Sequence, residues 1–145
     1  MKKKQKKKKV EAFKPWVRRV HNMLREKFFV REYEYNIFWQ QEDDKRGDSF
    51  VGGAIDISVR YLNYDLKIYP LLHRQYKRGD YFEVVKTLTH EMCHIYTEPL
   101  YCFAIDAVTN TNKEFLEQIR EQNTQRIAAC IYEVMPEKLW KPKVK

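Results

Sequence analysis

The sequence lacks any run of about 18 consecutive apolar residues, so it predicts no membrane-spanning helix. Val10–Lys14, which follows the basic N-terminus, is too polar to be the apolar core of a signal peptide. Cysteine is also scarce. Cys93, Cys102 and Cys130 are odd in number and irregularly spaced, which excludes a disulfide framework. We therefore expect a cytoplasmic protein without a membrane partner.

Acidic residues are missing from the N-terminal end. Residues 1–9 contain seven lysines and no acid, whereas the rest of the chain holds 21 basic and 20 acidic residues. The formal charge of +8 therefore lies mainly in this run and in the three lysines of residues 141–145. Because a lysine run repels itself, we predict a disordered tail over 1–10 and a basic tail over 141–145. The N-terminal run also suits weak, non-specific contact with nucleic acid, although it has no aromatic residue for base stacking.

The hydrophobic pattern of residues 11–140 predicts one α+β domain. Hydrophobic residues make up 43% of the whole sequence, which is enough to bury a core without disulfides. Helical spacing predicts helices over 11–29, from Asp80 to Glu98 before Pro99, and from Thr111 to Pro136. Alternating apolar residues predict strands over 33–40, 55–61 and 64–69, and their short connections favour a mainly antiparallel meander. Residues 41–49 are predicted to be a loop and Gly52-Gly53 a turn or bulge.

The sequence His90-Glu91-Met92-Cys93-His94 lies within the predicted helix 80–98. Histidines four residues apart share one helix face, so the imidazoles of His90 and His94 can bind one metal ion. Glu91 is turned by about 100° from His90, so its carboxylate can reach a water on the metal without being a ligand. Zinc lowers the pKa of such a water to about 7, and a nearby carboxylate can take its proton. We therefore predict a zinc site with Glu91 as the general base.

A zinc site needs a third protein ligand, and three glutamates of the last predicted helix are candidates. Glu114 follows His94 by 20 residues, which is the spacing of several zinc peptidases with a glutamate ligand. Glu117 and Glu121 share a stripe with the small residues Thr124 and Ala128, which would let that face approach the metal-binding helix closely. The alternative is a solvated acidic face. Cys93 adjoins the histidines, but we expect it to pack in the core.

The predicted order of a helix, three strands, the His-Glu-x-x-His helix and a glutamate-bearing helix resembles a minimal zincin. More narrowly, residues 64–128 resemble small zinc metallopeptidases encoded by bacteriophages and their hosts. The shared features are a short strand, the helix with the metal motif, the step Pro99-Leu100 and the segment Glu121-Gln122-Asn123-Thr124-Gln125-Arg126-Ile127-Ala128. SprT-like proteases are a more distant likeness, and the cysteine-rich zinc module often seen in them is absent from this sequence.

This resemblance implies a peptidase in the cytoplasm of a bacterial or phage-infected host cell. It also favours Glu121 as the third zinc ligand, with Glu117 and Glu114 behind it. In zincins the strand beside the metal helix pairs with an extended polypeptide substrate, which here would be residues 64–69. An oxyanion-stabilising side chain is also expected, and Tyr96, Tyr101, Arg126 and His73 are candidates.

A second function remains open from the sequence, namely a zinc-stabilised, non-catalytic binding or regulatory protein that contacts nucleic acid through its basic tails. Glu91 favours the peptidase, because a purely structural zinc site needs no base at that position.

Overall fold

The computed structural model describes residues 10–28, 30–107 and 112–144, which form an α+β structure. The helices are α1 (Phe13–Lys27), α2 (Pro70–Arg78), α3 (Tyr81–Ala107), α4 (Lys113–Val134) and α5 (Glu137–Trp140). The strands are β1 (Glu34–Trp39), β2 (Asp44–Arg46), β3 (Ser49–Val51), β4 (Gly53–Ser58) and β5 (Asn63–Ile68). None of the helices in these three ranges combines the length and the hydropathy needed to cross a membrane.

The three predicted helices and three predicted strands are present, with boundaries shifted by a few residues, except at the end of α3. The predicted loop 41–49 instead contains β2 and the start of β3, which pair as an antiparallel hairpin around Gly47. Gly47 has φ of 61°, a left-handed conformation that glycine adopts at little cost. The sequence analysis also missed α2, which begins with Pro70 at its first turn, and the short α5.

The predicted antiparallel meander is wrong, because the three-stranded sheet has the order β1-β5-β4. β5 pairs parallel with β1 and antiparallel with β4, so the sheet is mixed. On the central strand β5, the residues Tyr64, Leu66 and Ile68 alternate as the buried residues of its core-facing side. With both edges of β5 occupied, residues 64–69 cannot receive a substrate strand as predicted.

Helix α3 does not end before Pro99 as predicted, but continues through it to Ala107. Proline removes one backbone hydrogen bond from a helix interior and disfavours helical geometry in the preceding residue. Contacts with α4 offset this cost, because Arg120 forms an ion pair of 2.8 Å with Glu98 and lies over the ring of Tyr101. The helix is thus held to α4 on both sides of the proline.

The core lies between α1, the sheet and α3. α3 contributes a buried face that includes Leu88, Thr89, Met92, Cys93 and Ile95, so the histidine-bearing helix is buried against the sheet. The thiol of Cys93 is fully buried, and burial raises its pKa to about 12, as suits a packing residue. The core positions of the other elements are Trp16, Val17, Val20, Leu24, Tyr64, Leu66, Ile68 and Leu72.

The two ends of the described chain lie together. Val10 forms an antiparallel bridge with Val144, and the backbone N–H of Glu11 donates a 2.8 Å hydrogen bond to the carbonyl of Lys143. Residues 141–144, predicted as a basic tail, are therefore hydrogen-bonded to the segment that leads into α1. The predicted tail 1–10 lies outside the described residues except for Val10.

Candidate metal centre

Helices α3 and α4 bring three potential metal ligands together. The Nε2 atoms of His90 and His94 are 3.2 Å apart, as expected for residues one turn apart on a helix. Glu121 of α4 completes a triangle, because its Oε2 lies 3.5 Å from His90 Nε2 and its Oε1 lies 3.5 Å from His94 Nε2. The ligand atoms of the three residues all lie within 4.8 Å of one another, so they could hold one metal ion.

The size of this triangle fits zinc. Ligand atoms that lie about 2.0–2.2 Å from a tetrahedral zinc ion are about 3.3–3.6 Å apart. The two Nε2 atoms are 3.2 Å apart, and each lies 3.5 Å from a different oxygen of Glu121, so the three side chains are close to that spacing. Two imidazoles and one carboxylate also form a donor set that zinc commonly takes in catalytic sites, where a fourth position remains open.

The protonation states of the triangle suit a metal ion at neutral pH. Burial lowers the pKa of His94 to about 4, so its imidazole is neutral and has a free lone pair. A hydrogen bond from His90 is the main reason that the pKa of Glu121 falls to about 2, which keeps this carboxylate ionised. His94 and Glu121 therefore offer one neutral nitrogen and one negative charge to a metal ion.

Small polar and apolar residues set the distance between α3 and α4. The hydroxyl groups of Thr97 and Thr124 are hydrogen-bonded at 2.9 Å, and Thr124 is fully buried together with Ala128. Thr124 Oγ1 also lies 3.5 Å from Nδ1 of His94, where it can orient the imidazole ring. Of the predicted stripe, Glu121, Thr124 and Ala128 thus lie on the face of α4 that contacts α3, whereas Glu117 is exposed.

Glu91 lies beside the triangle and beneath the start of β4. Its side chain is 8% exposed, and burial raises its pKa to about 7, with a further rise from Glu121 opposed by His90 and Arg46. A Cβ atom on Gly53 would lie only 3.3 Å from Cγ of Glu91. Gly52 and Gly53 therefore permit close packing of the strand on α2 and α3, and neither has the positive φ of the predicted turn.

The triangle and Glu91 open into a polar cleft of about 370 Å³. One wall consists of β4 residues from Gly53 to Ile57, and the other consists of α3 and α4. In the described part of the chain no strand pairs with the outer edge of β4, so its backbone is available on the side of the cleft.

Comparison of the chain with protein-family models, curated proteins and solved structures gives no match. The chemistry of this cleft must therefore be judged from its own residues.

Two arginines of the cleft were missed by the sequence analysis. Arg120 donates hydrogen bonds of 2.8 Å to Glu98 and 3.2 Å to Glu121, so it orients the carboxylate of Glu121 in the triangle. Arg46 lies on the β2–β3 hairpin, and its charge is near enough to lower the pKa of Glu91. Neither belongs to a recognisable motif, and only the packing of distant segments brings them to the cleft.

Of the alternative third ligands, Glu117 and Glu114 are both exposed and lie outside the triangle. Glu117 contacts Arg120 at 3.5 Å, and Glu114 lies in the first turn of α4 beside the capping residue Asn112.

The four residues predicted to stabilise an oxyanion do not line the cleft. Tyr96 donates its hydroxyl to the carbonyl of Phe28, and His73 stacks on Phe13. Tyr101 lies under Arg120, and Arg126 is exposed further along α4.

Proposed function

We propose that this protein is a zinc-dependent peptidase, in which His90, His94 and Glu121 hold the metal and Glu91 is the general base. The observation that carries the proposal is the position of Glu91. This carboxylate is buried beside a zinc-sized triangle of ligands but is not part of it, and it faces an open cleft. A structural zinc site needs neither a base nor an opening.

The chemistry follows from the roles of these side chains. The two histidines and Glu121 would hold a zinc ion, which would act as a Lewis acid and lower the pKa of a water to about 7. Glu91 accepts the proton of the attacking water and then delivers it to the leaving amine, as a general base that becomes a general acid. Burial away from bulk water preserves the proton on Glu91 between these two steps.

The outer edge of β4 supplies a binding mode for a polypeptide. An extended chain can add to a free strand edge through main-chain hydrogen bonds, which are independent of side-chain sequence. Because β4 forms one wall of the cleft, a peptide paired with it would pass beside Glu91 and the metal ligands. We therefore propose that the substrate is an extended or unfolded polypeptide.

Arg46 is the side chain that we propose for the oxyanion. The carbonyl oxygen of the scissile bond becomes negative as the water attacks, and a nearby cation stabilises it. Arg120 is held by Glu98 and Glu121, which leaves it less able to turn toward a substrate. Arg46 is exposed and lines the same cleft from the hairpin.

Purified protein should be incubated with denatured casein and with a library of unstructured peptides, and the products identified by mass spectrometry. Cleavage that stops with a chelator and returns with about one equivalent of zinc supports the proposal. A protein that binds zinc tightly and cleaves no peptide in the library contradicts it. That result would favour the non-catalytic binding protein that the sequence left open.

A further inference from the structure

The fold brings the two ends of the described chain, which include basic residues, to one place. The seven lysines of residues 2–9 are joined directly to Val10, and Val10 is bridged to Val144. Lys143 is hydrogen-bonded through its backbone to Glu11, and the carbonyl of Lys141 accepts a hydrogen bond from Arg19. We call the described part of this region the basic pole, with Lys14, Lys143 and Lys141, whose ammonium is paired with Glu137.

An aromatic pocket of about 610 Å³ adjoins the basic pole at the start of α1. Phe13 packs edge-on against Trp39, with ring centroids 5.8 Å apart, and stacks on His73 at 4.8 Å. Tyr69 completes the aromatic lining, and Gln40 and Gln41 add side-chain amides. Trp39 is half-buried and His73 is exposed, so ring surface remains accessible to a flat ligand.

Cations border the pocket, and two acids of the neighbouring segments are paired with arginines. Lys14 Nζ lies 5.1 Å from the ring centre of Trp39, and the charges of Lys77 and Lys14 add to burial in lowering the pKa of His73. The carboxylate of Glu11 is bound by Arg19. That of Asp43 is bound by Arg74 through both oxygens. The positive charge of Lys14 therefore lies beside an aromatic surface.

We propose that the aromatic pocket and the basic pole together bind single-stranded nucleic acid. Proteins that bind single strands stack bases on aromatic rings and neutralise the phosphates with lysine and arginine. The lysine run lacks the aromatic partner that such binding requires, and the fold supplies it in Trp39 and His73. Duplex bases are already stacked on one another and would not reach these rings, so a single strand is the expected ligand.

This site is separate from the metal centre. The aromatic pocket is formed by the starts of α1 and α2 and the ends of β1 and β5, and it shares no lining residue with the metal cleft. Nucleic-acid binding therefore does not depend on the proposed peptidase activity, and each can be tested in the absence of the other.

Tryptophan fluorescence gives a direct test with the full chain. The other two tryptophans, Trp16 and Trp140, are 0% and 4% exposed, so quenching by a ligand reports mainly on Trp39. We would titrate oligothymidylate, oligouridylate and a DNA duplex, each of about 15 nucleotides per strand. Both single strands should quench the emission, and the duplex should bind at least about 10-fold more weakly. Trp39→Phe should remove the quenching while binding, followed by the anisotropy of a labelled oligonucleotide, stays within about twofold.

His73→Ala should weaken single-strand binding at least about fivefold, because a base–aromatic stack contributes about 1–3 kcal/mol. Lys14→Gln, a substitution at an exposed lysine, should remove one phosphate contact. The magnitude of the slope of log affinity against log salt concentration should therefore fall by about 0.7. The matched control is Tyr61→Ala, an exposed aromatic residue beside Arg60 near the opposite end of β5, which should leave binding unchanged. The proposal is overturned by binding that needs only residues 2–9 and leaves Trp39 unquenched, by equal affinity for the duplex or for polyglutamate, or by no binding at all.

Discussion

Arg120 donates a 3.2 Å hydrogen bond to Glu121, the acidic corner of the metal triangle. The same guanidinium is bound to Glu98 on α3, so it links the two helices that carry the three proposed ligands. Glu121 contributes the one ligand that is not on α3, and its position depends on this link. Arg120 is therefore a positioning residue for the metal site rather than a ligand.

Replacement of Arg120 should weaken zinc binding without removing a ligand. We expect Arg120→Gln to lower zinc affinity about 10- to 100-fold, which is the usual effect of losing a group that orients a ligand. Competition with a chromogenic chelator measures the change. Arg126→Gln, an exposed arginine on the same helix, is the control and should have wild-type affinity. Equal affinities for all three proteins would show that Arg120 has no part in positioning Glu121.

The three glutamates of α4 should differ sharply in their effect on the metal. We expect Glu121→Gln to lower zinc affinity by at least about 100-fold, because the amide provides no charge to the metal. Glu117→Gln and Glu114→Gln should change it less than about threefold, since both residues lie outside the triangle. Elemental analysis after dialysis against a weak chelator separates these cases. A large loss with Glu114→Gln and none with Glu121→Gln would transfer the ligand role.

Arg46 should affect the rate of hydrolysis more than the binding of substrate or metal. Loss of one oxyanion-stabilising group typically lowers kcat by about 100- to 1,000-fold. We expect Arg46→Ala to lower kcat by at least about 10-fold, with zinc content unchanged. Lys45→Ala is the matched control, because Lys45 is next in the same strand and lies over the ring of Phe50. If the two variants have the same kcat, Arg46 does not act on the oxyanion.

Acid should destabilise the fold through His21, which is fully buried and lies 2.8 Å from the hydroxyl of Tyr64. Burial, with a smaller effect from Arg25, lowers its pKa to about 4, against about 6.5 in an unfolded chain. As the pH falls from about 6.5 towards 4, the unfolded state binds a proton that the folded state does not. Its contribution to stability is therefore present above pH 6.5 and is reduced by about 2 kcal/mol at pH 5.

Urea unfolding at pH 7.5 and pH 5, with wild type and His21→Gln compared, measures this effect. The glutamine does not titrate, so the variant should lose about 2 kcal/mol less than wild type between the two pH values. Other groups that titrate in this range are common to both proteins and cancel in the comparison. The same loss in both proteins would mean that His21 does not cause the acid sensitivity.

Local patterns were enough to predict the part of the site that lies on one helix. Histidines four residues apart, such as His90 and His94, lie on the same face of any helix. The uncharged residues around them predicted the helix α3, and the structure shows that they are buried. The partner glutamate was harder to identify, because its position depends on how α4 packs on α3. The small residues Thr124 and Ala128 indicated which face of α4 could approach α3 closely, and both are buried in that contact.

The remaining features depend on contacts between distant segments. The central position of β5 follows from pairing with β1, about 30 residues away, and strand spacing alone favoured a meander. Helix α2 has only nine residues and a single fully buried one, Leu72, so its hydrophobic pattern is short. Arg46 is an exposed residue of a short hairpin, and no pattern distinguishes it from its neighbours. Each of these features depends on how the segments pack together, which local sequence patterns do not specify.

The most direct test of the proposed function is a paired measurement of zinc content and peptide cleavage in wild type and Glu91→Gln. Gln has nearly the shape of Glu but cannot accept the proton of the attacking water. Because Glu91 lies outside the ligand triangle, we expect the variant to keep about one zinc per chain and the wild-type thermal midpoint. Its rate of cleavage should fall by at least about 100-fold. Equal cleavage by the two proteins, or loss of zinc together with loss of cleavage, would contradict the assignment of Glu91 as the general base.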